Sequence, residues 1–327
     1  MTTPMSNGFV GKTVITVVIP AYKVSKQILA TIESIGPEVD HIIVVDDACC
    51  EGSGKLVGTT TSDSRVEVIF HMENMGVGGA MKTGYTRALE LESSVIVKID
   101  GDGQMDATRI PEMARYITDC ESDYVKGNRF FDIETVRNMP MARILGNLTL
   151  SFFAKFSTGY WRIFDPNNGF TAISNTALSR IQLAKVDNRY FFESDMLFRL
   201  NLARAVVVDF PMDSLYGDEK SNLKIRRVLL EFPYKHLRNF FKRIAYTYYL
   251  RDFTLASLEL PTGVILCSFG FVYGVLNFEA SRELNQGTAP GTLILISMSV
   301  LVGVQLILSF FSYDIDSSPT KPISKRR

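Results

Sequence analysis

The stretch Lys98–Asp106, KIDGDGQMD, follows directly on the apolar run Ser94–Val97 and sets Asp100 and Asp102 one residue apart, with glycines at Gly101 and Gly103. Carboxylates so spaced at the end of a β-branched run have three readings. The first is a polar turn, for which Asp and Gly are ordinary residues. The second is a calcium loop of the EF-hand kind, which needs Gly at its sixth position and Glu at its twelfth. Counted from Asp100 those positions hold Met105 and Pro111, so this reading fails. The third is a hard-metal site in which Asp100 and Asp102 hold Mg²⁺ or Mn²⁺ against a diphosphate at the C-terminal end of a strand. The motif alone does not separate the turn from the metal site.

The elements around it do. Thr13–Pro20, His41–Asp47, Arg65–Phe70 and Ser94–Asp100 read as buried strands, and Lys26–Ile35 and Gly78–Glu92 as helices between them. That alternation predicts an α/β sheet of Rossmann type. Ligands of such sheets bind beyond the carboxyl ends of the strands. The strand tails are Pro20-Ala21-Tyr22, Asp46-Asp47 and Asp100-Gly101-Asp102, so they meet at one rim, which favours the site over the turn. No dinucleotide fingerprint follows the first strand, where AYKVSKQ stands. The later GVGGAMKTG has Met81 in place of a small residue, Lys82-Thr83 lacks the preceding Gly of a P-loop, and GSGKL at Gly52–Leu56 lacks its Ser/Thr. Hydride transfer and ATP hydrolysis lose their usual anchors, and phosphate would have to be held by metal and arginine.

The 327 residues carry 35 Lys plus Arg against 35 Asp plus Glu, a balance that points to no nucleic-acid partner. Cys49, Cys50, Cys120 and Cys267 form no zinc spacing and read as reduced thiols in a cytoplasmic region. The N-terminal stretch lacks the pattern of a signal peptide. Membrane character lies near the other end. Leu260–Phe278 and Thr292–Tyr313 carry no charge over 19 and 22 residues. As helices they reach roughly 28 and 33 Å, against a hydrocarbon core of about 30 Å. Basic residues cluster before the first span (Lys235, Arg238, Lys242, Arg243, Arg251) and after the second, in KPISKRR, so both ends are expected in the cytoplasm. Between Tyr234 and Tyr249 apolar residues recur at helical spacing beside Lys235, Arg238, Lys242 and Arg243, as in an interfacial helix. Gly270-x-x-x-Gly274 and Ser299-x-x-x-Gly303 offer helix-packing faces that leave a homo-oligomer open. The expected organisation is a catalytic domain over 1–225, interfacial helices over 226–256, two transmembrane helices within 257–315 and a basic tail over 316–327.

VVIPAYK, VVDD, ENMGVGGAMKTGY and KIDGDGQ, in this order and spacing, resemble family 2 glycosyltransferases of the GT-A fold. The likeness to polyprenyl-phosphate sugar transferases, of the undecaprenyl- and dolichyl-phosphate kinds, extends through GNRF, DPNNGF, YFFESDM and YGDEKSNLK to the two spans. The resemblance implies that Asp100, Asp102 and Gln104 hold Mg²⁺ or Mn²⁺ and the diphosphate of a UDP- or GDP-sugar. It gives Pro20, Ala21, Tyr22 and Asp46 or Asp47 to the base and ribose, and lets Gly101 pass close to the sugar. A polyprenyl monophosphate is already ionised, so it needs positive charge more than a base. Arg129 is the first candidate for that charge, then Arg143, Lys220 and Lys224. Asp195, with Glu193 second, stands where relatives with hydroxyl acceptors carry a base, and Asp165 would shape the acceptor side. DDACC replaces the D-D-G-S common in relatives, and Leu215 stands where a basic residue often precedes the Tyr-Gly. The expected activity is inverting transfer of one sugar to polyprenyl phosphate by an integral membrane protein, its catalytic domain at the cytoplasmic face of a bacterial inner membrane. Two alternatives are a hydroxyl acceptor on a lipid-linked oligosaccharide or glycolipid, and a non-catalytic scaffold that binds nucleotide sugar.

Overall fold

The computed structural model describes residues 12–131, 141–212 and 225–326, with the backbone alone at 142–143 and 225–230. It divides into two compact units, Met1–Phe240 with Pro319–Arg327, and Phe241–Ser318. The stretch after the second apolar helix thus groups with the α/β unit.

The first unit is built on seven strands: β1 (Ile15–Ala21), β2 (His41–Asp46), β3 (Val66–Phe70), β4 (Val95–Lys98), β5 (Tyr124–Asn128), β6 (Thr171–Ser174) and β7 (Val207–Pro211). Their order in the sheet is β3-β2-β1-β4-β6-β5-β7. β1 to β4 are mutually parallel, β6 runs antiparallel to both β4 and β5, and β7 is parallel to β5. The cores of β1, β2 and β4 are β-branched runs buried on both faces, as parallel strands covered by helices require, whereas the edge strand β3 is only half-buried. Alternate residues of β1 serve different layers. Val17 and Ile19 pack with Ile28 of α1 (Ile28–Glu33) and with Ile110 and Met113 of α4 (Ile110–Thr118). Val18 packs on the other face with Ala80 and Tyr85 of α3 (Val77–Glu90), and Met196 of α6 (Phe192–Leu202) joins that layer. A shorter helix, α2 (Ser53–Thr60), follows β2, and α5 (Met141–Thr158) follows β5.

Glycine spacing in GVGGAMKTG has a packing cause. A Cβ at Gly84 would strike the side chain of Val18, and one at Gly78 would lie 2.8 Å from the carbonyl carbon of Asn188. These glycines let α3 approach β1 and the 187–188 loop; they are not a phosphate loop.

Helix α7 (Ile225–Ala245) runs from the first unit into the second. Its buried face mixes apolar and polar residues, Phe232 and Ile244 among the apolar ones. His236, Asn239 and Arg243 are buried, whereas Tyr234, Leu237 and Phe241 are exposed beside Arg238 and Lys242. Arg243 is therefore no surface cation, as its spacing suggested. Inside the second unit it forms a two-pronged ion pair with buried Asp314, at 2.6 and 3.0 Å, and Tyr248 donates to the same carboxylate at 2.6 Å.

The second unit continues with a π-turn over Tyr246–Arg251, then α8 (Leu255–Glu283) and α9 (Pro290–Asp316). Both helices are long and apolar enough to cross a membrane, with most of their apolar surface uncovered. The small residues lie between them. A Cβ at Gly303 would meet the Cys267 amide nitrogen at 2.9 Å, and one at Gly270 would meet Val300 at 2.6 Å. The stripes Gly270-x-x-x-Gly274 and Ser299-x-x-x-Gly303 thus close a hairpin within one chain, and lend no support to an oligomer.

Candidate active site

The order of strands reverses at β1, which has β2 on one side and β4 on the other. That switch point opens a crevice beyond the strand tails. The register aligns Pro20 with Val45 and Ala21 with Asp46, and the Ile99 amide donates to Val18 O at 3.2 Å. Pro20–Tyr22, Asp46–Asp47 and Asp100–Asp102 therefore reach one edge, as the sequence predicted. Tyr22 stands 42 % exposed there, with Lys23 Nζ 5.5 Å from its ring centre.

The two acidic pairs differ in what their oxygens do. Asp46 accepts from the amides of Cys49 and Gly54, at 2.7 and 2.6 Å. Asp47 accepts from the amides of Met75 and Gly76, at 2.8 and 2.7 Å, and bonds His71 Nδ1 at 2.8 Å. A carboxylate can only accept, so His71 Nδ1 carries a proton, and Nε2 bonds the Thr83 hydroxyl 2.8 Å away. Both side chains are buried, and both tie the tail of β2 to the loops beside it.

The pair after β4 is more accessible. Asp100 and Asp102 are each partly exposed, and Asp102 Oδ1 accepts from the Gln104 amide at 3.1 Å, turning the loop back on itself. Gly103 allows this turn with φ at 72°. Among the described residues no three His, Cys, Asp or Glu side chains cluster as a metal cage. Two carboxylates and the Gln104 amide on one turn nevertheless form an all-oxygen set, and Mg²⁺ or Mn²⁺ prefers to complete such a set with phosphate oxygens and water. The residues fit an oxygen-loving divalent ion.

Beneath Asp100 lies Lys98, which is 1 % exposed. Its ammonium sits 2.9 Å from Asp100 Oδ1 and 3.2 Å from Glu193 Oε1. Burial alone would push that group toward neutrality, but Asp100 and Glu193 more than offset it and raise the pKa above the usual lysine value. Gly169 makes the room, since a Cβ there would stand 2.6 Å from Lys98 Nζ. On β5, beyond the intervening β6, Lys126 is also fully buried and donates to Asn168 O at 2.6 Å, and burial brings its pKa down to about 8. Across the ladder from Lys126 is Asp209, which burial raises to about 6.

The loop Asp165–Phe170 joins these groups to Arg129. Asp165, almost fully buried, receives Arg129 Nε at 2.7 Å and Nη2 at 3.0 Å, and Asn168 Nδ2 at 3.3 Å. Arg129 is 28 % exposed at the end of β5, so its fork is fixed from behind. Glu193 and Asp195 face different ways on α6. Glu193 points to Lys98, whereas Asp195 accepts from the Asp187 amide, Arg199 Nε and Asn239 Nδ2, each at 3.0 Å. Lys220 and Lys224 fall outside the described residues, as does the side chain of Arg143 on α5.

Sequence reasoning did not mark Lys98, Lys126, His71 or Gly169. A lysine inside SVIVKID, two residues before the acidic pair, was a usable signal: a strand buried on both faces holds a charge only when it is paired. The partners of Lys126 and His71 come from distant segments and leave no local trace.

The profile of Glycosyl transferase family 2 matches residues 16–182. The chain therefore belongs to that family, and its sheet is that of a GT-A glycosyltransferase. It is 29 % identical over 215 residues to the UDP-N-acetylglucosamine–dolichyl-phosphate N-acetylglucosaminyltransferase of Methanococcus voltae, covering 62 % of this chain and 85 % of that one. It is 29 % identical over 202 residues to the polyprenol monophosphomannose synthase of Mycolicibacterium smegmatis, covering 60 % and 75 %. Among solved structures, glucosyl-3-phosphoglycerate synthase from Mycobacterium tuberculosis, crystallised with Mn²⁺, UDP and glucosyl-3-phosphoglycerate, superposes with a TM-score of 0.51 at 17 % identity, over 71 % of this chain and 80 % of that one.

Proposed function

We propose that this glycosyltransferase moves one sugar from a nucleoside-diphosphate donor to a polyprenyl phosphate, with inversion, at the cytoplasmic face of a membrane. The observation that carries the reading is the state of its carboxylates. A hydroxyl acceptor needs a base to take its proton. Glu193 is ion-paired with Lys98, and both oxygens of Asp195 are already engaged. A phosphate acceptor is an ionised nucleophile, its second pKa being about 6, and needs no such base. It needs a fixed cation, which the braced fork of Arg129 supplies.

On this reading Tyr22 and the β1 tail frame the base. Asp100, Asp102 and Gln104 would hold a divalent ion, which would supply positive charge to the leaving diphosphate. Arg129 orients the acceptor phosphate behind the anomeric carbon, offsetting the repulsion between two anionic substrates. Membrane anchoring by α8 and α9 rests on their length and composition, and two crossings return the chain to the side from which it left. The tail supports this topology, because Ile323 donates its amide to Asp123 of the α/β unit at 2.9 and 3.0 Å. The relatives' names, a dolichyl-phosphate and a polyprenol enzyme, support a lipid phosphate acceptor.

The test is transfer from radiolabelled UDP- and GDP-sugars to polyprenyl phosphate in detergent, with Mg²⁺, Mn²⁺ or EDTA. Label extracted into chloroform, lost with EDTA, is the expected result. Label appearing only when a lipid-linked saccharide replaces the phosphate would overturn the acceptor assignment.

A further inference from the structure

Lys98 is a buried cation directly beneath the acidic pair, and its position creates a competition. The ammonium is 2.9 Å from Asp100 Oδ1, one of the oxygens assigned above to a divalent ion. Two cations cannot both draw fully on one carboxylate, because like charges repel most where water is excluded. Glu193 meets the same ammonium from the opposite side at 3.2 Å and shares it. The three groups come from β4, the loop after it, and α6, so their arrangement belongs to the fold and not to a local turn. A Cβ at Gly169 would stand 2.6 Å from Lys98 Nζ, so a glycine there leaves room for the Lys98–Asp100 contact.

We propose that Lys98 is a positioning residue of the donor site, a resident cation that holds Asp100 and weakens its hold on a free divalent ion, with Glu193 setting the balance by drawing Lys98 away. The inference rests on the assignment of Asp100 and Asp102 to the metal and diphosphate. It adds that the protein delays tight metal binding until a diphosphate brings its own oxygens. With the nucleotide in place, the lost share of Asp100 is made up by phosphate. Without the nucleotide, the ion binds weakly.

The two members of the pair therefore act in opposite directions, which no purely structural role predicts. In K98M the competing cation is gone, and Mn²⁺ alone should bind at least tenfold more tightly. In E193Q the lysine is left wholly to Asp100, and Mn²⁺ should bind severalfold more weakly. The double variant K98M/E193Q leaves neither charge buried alone, which protects folding, and should keep the gain of K98M. The experiment is titration of the full chain in detergent with Mn²⁺, followed by the electron paramagnetic resonance of the free ion, with and without UDP or GDP. The nucleotide should narrow the differences among variants. A fall in affinity in K98M and in the double variant would overturn the inference while leaving the metal assignment in place. Wild-type protein that binds no Mn²⁺ even with nucleotide would overturn the metal assignment and the inference with it.

Discussion

At the scale of single residues, the Arg129–Asp165 pair shows how a charge becomes a tool. A guanidinium gripped by two oxygens of a buried carboxylate loses little entropy when it meets a phosphate. On the proposed mechanism R129A lowers kcat/KM for the polyprenyl phosphate by about 10²–10³-fold, the usual consequence of removing a donor that stabilises transferring charge. Binding of the nucleotide should stay within a factor of two or so. Equal losses in nucleotide affinity and melting temperature would make the pair a strut instead. Ala48 offers a second residue-level test. It follows Asp47 with φ at 52°, in the left-handed region, at the place where relatives often carry Gly. That conformation costs an L-residue about 1–2 kcal/mol, against about 0.5–1 kcal/mol of chain entropy for Gly. A48G is thus expected to stabilise the protein by about 0.5–1 kcal/mol in a denaturant titration. The departure DDACC, visible in the sequence as an anomaly, becomes a strained turn only when φ is known.

Among the elements, α7 departs furthest from what its spacing suggested. An apolar stripe with basic neighbours reads as an interfacial helix; Leu237 and Phe241 are exposed, while the buried face takes His236, Asn239 and Arg243 together with Phe232 and Ile244. The exposed apolar residues suit an interfacial helix, and the buried polar groups are satisfied by Ser157, Asp195 and Asp314. His236 records that burial in its titration, its pKa lowered to about 4 by desolvation. Folded protein keeps the ring neutral, while the unfolded chain takes up a proton near the ordinary value of about 6.5. Unfolded protein therefore binds more protons across this window, and stability falls as pH drops from about 6.5 to about 4, by roughly 3 kcal/mol if the window is fully traversed. Asp209 acts in the opposite sense. Raised to about 6, it contributes stability in acid that is lost as pH rises through that value. The contribution of His236 is accordingly the difference between wild type and H236Q. Melting temperatures of the two should converge as pH falls toward 4, and parallel curves would remove the assignment.

For the molecule as a whole, the tail decides the connectivity. Ile323 is 2 % exposed, within the core layer that also holds Ile96, Tyr124 and Leu178. The segment read from the sequence as a basic tail thus contributes a core residue to the α/β unit. I323A should cost about 2–4 kcal/mol of stability, the usual loss for emptying a buried aliphatic site. Sugar transfer per folded molecule should remain unchanged, because none of the donor or acceptor residues touches it in the proposed mechanism. A stability unaltered by I323A, read from thermal melts in detergent, would show the tail to be dispensable.

Much of this protein could be read from residue order alone. The parallel strands β1 to β4 are local β-branched runs, the apolar helices are a matter of length and composition, and the convergence of Pro20–Tyr22, Asp46–Asp47 and Asp100–Asp102 follows from a general property of α/β sheets. What the tertiary structure alone decided is which of the charged residues are open and which are committed. Asp47 is taken up by amides from 75 and 76, Asp195 by Asn239, and Asp100 by a lysine that answers also to Glu193. Those partners are brought together by strand order and helix packing, and a buried charge is defined by its partner. Chain neighbours supply the residue types; only the closed fold supplies the pairs.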